Sequence, residues 1–174
     1  MVEQQAGPTA TEQKLRSFVE DVTGGHVIRM ERQIRWRPAW FVDVERGAEI
    51  LHIHIRGDRN SDILPFPELK READILEVLE AHDIPVPHIW GVCPDPVAII
   101  MDAVPGTRDV SRAASDTERH SIVRQYATAV AAMHKIPAQA FVERGLDLPQ
   151  GAEAIALAGL AAYGPLYEKT KRKP

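Results

Sequence analysis

Glu72 is the residue that most narrows what this chain can fold into. The stretch 67–82 reads as a helix, with Leu69, Leu76 and Leu79 returning to one side at 100° per residue and Pro67 suited to a first helical turn. In that projection Glu72 falls between Leu76 and Leu79. A carboxylate in an apolar stripe either lies at the rim and reaches water, or it finds a cation; dry and unpaired, it would take up a proton. The candidate cation comes just before. The run Leu51-His52-Ile53-His54-Ile55-Arg56 alternates as a strand, with Leu51, Ile53 and Ile55 on one face and His52, His54 and Arg56 on the other. Pairing Arg56 with Glu72 requires the helix to pack beside the polar face of that strand. Arg59, three residues on, competes for the role, and solvated surface charge is the alternative for both arginines.

The rest of the chain supplies a setting for this pair. Thr9 or Thr11 can cap a first helix whose apolar face is Leu15, Phe18, Val19 and Val22, stopped at Gly24-Gly25. Strands are predicted over 27–34, 40–44 and 49–56, with Glu45-Arg46-Gly47 turning between the second and third. A polar loop, 57–62, leads to the helix at 67–82. Pro85 and Pro87 then enforce extended backbone, and short strands follow at 89–92 and 97–102, joined by Cys93-Pro94-Asp95-Pro96. The order helix, three strands, helix, two strands predicts an α+β fold with a five-stranded antiparallel sheet. Beyond Pro105-Gly106, Ser115-Asp116-Thr117-Glu118 has capping-box spacing and opens a long helix to about residue 135, whose buried side is Ile122, Val123, Tyr126, Ala129, Val130 and Met133. An alanine-rich helix over 152–163 and a basic tail at 169–174 complete the chain.

Composition excludes several classes. With 44% hydrophobic and 26% charged residues in 174, wholesale disorder is out and one core of ordinary size is in. A net charge of −4 gives no electrostatic reason to bind nucleic acid. Residues 1–11 do not resemble a secretory signal, and no run approaches 18 apolar residues, so a cytoplasmic protein without membrane partners is expected. The single cysteine, Cys93, excludes an intrachain disulfide and reads as a small buried hydrophobe. The seven histidines do not make a metal site by spacing.

Two further segments carry chemistry. In Ala98-Ile99-Ile100-Met101-Asp102-Ala103-Val104-Pro105-Gly106, an apolar strand runs into a short exposed connector. Its free backbone groups can pair with the edge of a flat heterocycle such as adenine, with Met101 lining the pocket, Asp102 presenting its carbonyl and Val104 its amide and carbonyl. An ordinary strand before a Pro-Gly turn is the plainer reading. The loop Arg32-Gln33-Ile34-Arg35-Trp36-Arg37-Pro38 contains no glycine. If it covers phosphates, it does so through Arg35, Arg37 or its bent backbone, and Trp36 and Trp40 read as packing residues.

Leu69-Lys70-Arg71-Glu72-Ala73-Asp74-Ile75-Leu76 followed by Ile84-Pro85-Val86-Pro87, then the segment from Ile100 to Gly106, then Ala131-Ala132-Met133-His134, in this order and spacing, resemble the aminoglycoside phosphotransferase and choline-kinase-like family. That is the small-molecule branch of the protein-kinase-like fold. The resemblance covers about residues 27–148 and implies a nucleotide-binding lobe over 1–104 and part of a helical lobe over 105–174. It implies ATP and magnesium as cofactors and a small-molecule hydroxyl as acceptor. Arg56 would grip phosphate, Glu72 would orient it, and Met101, Asp102 and Val104 would form the adenine hinge. The family's H-G-D followed by Asn, and its later D-x-D, do not occur in 135–174. The expectation is therefore an N-terminal portion, inactive alone, with magnesium ligands outside it. The alternatives are a non-catalytic nucleotide-binding module, or half of a split enzyme completed by a partner chain. A second lobe left open would also expose the apolar side of the 115–135 helix and promote self-association.

Overall fold

A computed structural model of the chain describes residues 9–59, 68–107 and 109–170. Five antiparallel strands form one sheet in the order β1-β2-β3-β5-β4: β1 (His26–Arg32), β2 (Ala39–Arg46), β3 (Glu49–Gly57), β4 (Ile89–Pro94) and β5 (Val97–Asp102). Helix α1 (Ala10–Thr23) covers one face and α2 (Leu69–Glu80) lies against β4 and β5. The sequence-based start of α2 at Pro67, and loop residues 60–62, lie outside the described residues, as do 171–174 of the tail.

Alternation decides which face is which. Ile53 and Ile55 of β3 are fully buried beneath α1, together with Leu15, Val19, Val42, Val44 and Ile100. The opposite face pairs His54 with Phe41 and Met101, and Arg56 with Ala39 and Ile99. Only part of that face is covered: Leu69 and Ala73 of α2 close over Ile89, Ile99 and Met101 in a second, smaller core. Among the described residues the β1–β2–β3 side stays open, and this asymmetry leaves room for a site.

Local chemistry sets the element ends. Thr9 caps α1 with a full capping box: the Glu12 N–H donates to its hydroxyl at 3.2 Å and the Thr9 N–H donates to Glu12 Oε2 at 2.9 Å. The β2–β3 hairpin turns on Gly47-Ala48, one residue pair later than expected, because Arg46 still pairs with Glu49 and Gly47 takes the left-handed φ of 64°. Burial raises the pKa of Cys93 above its ordinary value, as befits an inert buried thiol.

The helices after the sheet depart from expectation. Helix α3 (Asp116–Met133) opens at Ser115, whose hydroxyl accepts the Glu118 N–H at 3.1 Å, although the Glu118 carboxylate reaches back to Ala114 rather than to Ser115. Its predicted buried side is exposed: Ile122, Val123, Tyr126 and Met133 all face solvent, and no residue of α3 is buried. Periodicity marks an apolar face but cannot supply the element that covers it. Among the described residues α3 packs chiefly against the short 3-10 turn at Val110–Arg112. A short helix the sequence did not announce, α4 (Ala138–Glu143), follows, and the last helix, α5 (Gly151–Thr170), is longer than the predicted 152–163. After α4, Arg144 reaches α2, lying 3.5 Å from Asp74 and pairing with Glu77, while Lys70 holds the other oxygen of Asp74 at 2.6 Å. This clamp accounts for a carboxylate as buried as Asp74.

Candidate functional site

The open face of the sheet ends, at its β3 tip, in a pocket of about 140 Å³ lined by cations. Three segments supply them: Arg35 and Arg37 from the β1–β2 loop, Arg56 with His54 from β3, and Arg59 from the segment after it. The loop is held by its ends. The Gln33 N–H donates to the Ala39 carbonyl at 2.8 Å, and the Gly57 N–H donates to the Pro38 carbonyl at 2.8 Å. Gly57 is required there, since a Cβ would stand 2.9 Å from Pro38 Cβ and 3.0 Å from its carbonyl oxygen. Sequence reasoning passed over Gly57 because its role depends on a chain approach from 19 residues earlier.

Arg56 Nε lies 2.7 Å from Glu72 Oε1, so α2 and β3 are joined by the charge pair that the sequence suggested. The Nε–H makes no hydrogen bond in spite of this distance, because it does not point at an acceptor. The contact is therefore coulombic, and an edge of the guanidinium remains for another acceptor. About a third of each side chain still reaches solvent, 32% and 34%.

Beside this pair, buried nitrogen atoms go without a hydrogen bond among the described residues. Arg37 buries its Nε and one terminal nitrogen without a partner, and His54 buries Nε2 likewise. Burial and then the Arg56 and Arg59 charges push the Arg37 pKa below the ordinary arginine value, against the pull of Glu72 and Asp58. Burial, followed by Arg56 and Arg35, lowers the pKa of His54, so its ring is neutral at pH 7. Arg59 lies over the Trp36 ring at 4.1 Å. Trp36 is thus a stacking partner, 69% exposed, and not the packing residue expected. Trp40 does pack in the core, and its indole N–H donates to Glu12 at 3.1 Å. Arg56 and Arg59, alternatives in the sequence, line the same pocket.

Next to this pocket a cleft of about 420 Å³ runs under β1–β3 to the connector after β5, lined by Phe41, Asp43, His52, Ala103, Val104 and Gly106 among others. Phe41 of the cleft and His54 of the pocket stand side by side with ring centroids 5.3 Å apart. Val104 is exposed at the cleft mouth. Asp102 does not offer its carboxylate, which accepts the Trp90 indole N–H at 2.7 Å, and its own N–H donates to the His88 carbonyl. Met101 is 6% exposed and lies in the α2 core, so it is not among the residues lining the cleft. A cavity of about 490 Å³ between α1, Trp40 and Asp95 lies on the other face of the sheet and shares no lining residue with cleft or pocket. Among the described residues no three His, Cys, Asp or Glu side chains gather as a metal site, and no helix is long and apolar enough to cross a membrane.

A five-stranded antiparallel sheet whose third strand presents an arginine to a glutamate of the next helix, with helices following, is the layout of a kinase-like N-terminal lobe joined to part of a helical region. Residues 34–171 match the phosphotransferase enzyme family, and the chain belongs to that family. No curated protein matched it.

Proposed function

We propose that residues 1–104 are the nucleotide-binding lobe of an ATP-dependent phosphotransferase acting on a small-molecule hydroxyl, and that 105–174 are part of its helical lobe. The observation that carries this reading is the Arg56–Glu72 pair at 2.7 Å, set at an arginine-lined pocket beside a cleft that ends at the 103–106 connector. The cleft has the room and the walls for adenine, with Phe41 against the base and the backbone of Asp102 and Val104 at its edge. Met101 backs this edge from the α2 core. Arg56, oriented by Glu72, meets phosphate.

The buried, unpartnered N–H groups of Arg37 and Arg56 fit the phosphate end of ATP, which would supply the phosphoryl group. No set of magnesium ligands is gathered among the described residues, so no step is assigned to the metal and its ligands are expected elsewhere. The H-G-D…N and D-x-D segments of such enzymes do not occur in these residues. We therefore expect nucleotide binding without phosphoryl transfer from them alone. The uncovered apolar side of α3 favours completion by further protein, in the same chain or from a partner, over a self-sufficient regulatory module. Calorimetric titration with ATP, beside an assay of ATP-dependent phosphorylation of hydroxylated amines, sugars and aminoglycosides, tests the reading. Saturable binding with no turnover above a protein-free control is expected. Absence of binding would refute the nucleotide lobe, and robust turnover would refute the need for completion.

A further inference from the structure

Asp102 stands where β5 hands over to the connector that edges the cleft, yet its side chain faces away from that cleft. It alternates with Met101 of the α2 core, so it shares the α1 face with Ile100. There its carboxylate accepts the Trp90 indole N–H at 2.7 Å. Trp90 is the extra residue of a β-bulge: Ile89 pairs with Met101 and Gly91 with Ile100, which leaves Trp90 outside the ladder and re-aims its side chain. Its ring is held by the core under α1, by the His88 ring edge-on at 5.0 Å and by the Arg46 guanidinium at 5.3 Å. Backbone bonds fix the same corner, since the Asp102 N–H donates to the His88 carbonyl at 3.0 Å and the Ala103 N–H to the His52 carbonyl at 2.8 Å. The next N–H along, that of the exposed Val104, donates to none of the described residues.

A free aspartate has another use for its carboxylate. Asp side chains accept the backbone N–H two residues on, closing a local turn. For Asp102 that N–H belongs to Val104, the donor that the nucleotide reading offers to a base. A carboxylate is a stronger acceptor than a neutral ring nitrogen, so an untethered Asp102 would take the donor first. We propose that Trp90 is a positioning residue for base binding: its indole N–H holds the Asp102 carboxylate on the α1 face and so keeps the Val104 N–H open to a ring-nitrogen acceptor. The inference rests on the nucleotide reading for its ligand, and on the Trp90–Asp102 bond for the state of Val104. Trp90 touches no ligand and acts only through Asp102.

The test combines amide hydrogen exchange at Val104 with calorimetric titration of the whole chain by adenosine, for wild type, Trp90→Phe and the double variant Trp90→Phe/Asp102→Ala. Losing the indole donor should slow Val104 exchange and weaken adenosine binding, each roughly tenfold, the worth of one charge-assisted hydrogen bond. Removing the carboxylate as well should return Val104 to fast exchange and recover most of the lost affinity, although it rebuilds neither packing nor hydrogen bond. A double variant that binds no better than Trp90→Phe shows a merely structural role and overturns the proposal. If Trp90→Phe unfolds, wild type decides: a protected Trp90 indole N–H beside an unprotected Val104 amide supports the proposal, and the reverse overturns it. The two readings fail in different ways. Adenosine bound equally by all three chains overturns this inference and leaves the nucleotide lobe standing. Neither adenosine nor ATP bound by wild type refutes the lobe and overturns the base-binding role with it.

Discussion

Neutralising Glu72 tests the joint between β3 and α2. At 2.7 Å, two unit charges attract by about 6 kcal/mol at an effective dielectric constant of about 20, and by about 1.5 kcal/mol in bulk water. Neither is the net value, since desolvation and side-chain ordering oppose it. Exposed pairs give about 0.2–1 kcal/mol and breaking fully buried ones costs about 3–5 kcal/mol. With about a third of each side chain wet, and no hydrogen bond along the short contact, the pair belongs between these limits. A coupling of about 1–2 kcal/mol is expected from a cycle of Glu72→Gln, Arg56→Met and the double variant, read by urea unfolding. At about 2–4 °C per kcal/mol for a chain of this size, Glu72→Gln alone should lower the melting temperature by about 2–8 °C. Additive single variants, with coupling within about 0.3 kcal/mol of zero, would show that the charges meet without holding the helix to the strand.

Other substitutions follow from the same geometry. Gly57→Ala forces a Cβ to within 3.0 Å of the Pro38 carbonyl, so it should cost about 1–3 kcal/mol in urea unfolding; unchanged stability would show that the loop moves aside without cost. The depressed pKa of His54 means that the unfolded chain binds its proton first, so stability falls as pH drops below about 6.5, the ordinary histidine value. His54→Asn should flatten urea midpoints between pH 7 and 5.5. Asp43, whose pKa is lowered chiefly by its hydrogen bond with His52, holds stability that is lost as pH falls below about 4; Asp43→Asn should remove that acid limb. Tyr126→Glu on the open face of α3, where Tyr126 is 71% exposed, should reduce concentration-dependent self-association in light scattering, whereas a wild-type chain monodisperse at all concentrations would deny that this face is sticky.

What could be read from the sequence followed from short-range periodicity. The alternation of 51–56 placed Ile53 and Ile55 inward and Arg56 outward, and a carboxylate within the Leu69–Leu79 stripe left a wet rim or a cation as its two outcomes, of which the structure shows a half-wet contact with Arg56. Both inferences needed only the periods of a strand and a helix. The arginine pocket was half legible: Arg35 and Arg37 stood out in a glycine-free loop, but the stack of Arg59 on Trp36 and the need for Gly57 arise only when distant backbone closes. The clamp of Arg144 on Asp74 and Glu77 was hidden for the same reason, since its partners are about 70 residues apart in the chain. The α3 face shows the converse limit, a correct period with no described partner to bury it.

Amide chemical-shift mapping during an ATP titration locates the nucleotide on one face of the sheet or the other. A nucleotide site here predicts saturable shifts along one path, from Val104 and Gly106 through Phe41 and His54 to Arg37 and Arg59. Shifts confined to the other face of the sheet, around Thr11, Trp40 and Asp95, or no saturable shifts at all, would contradict it.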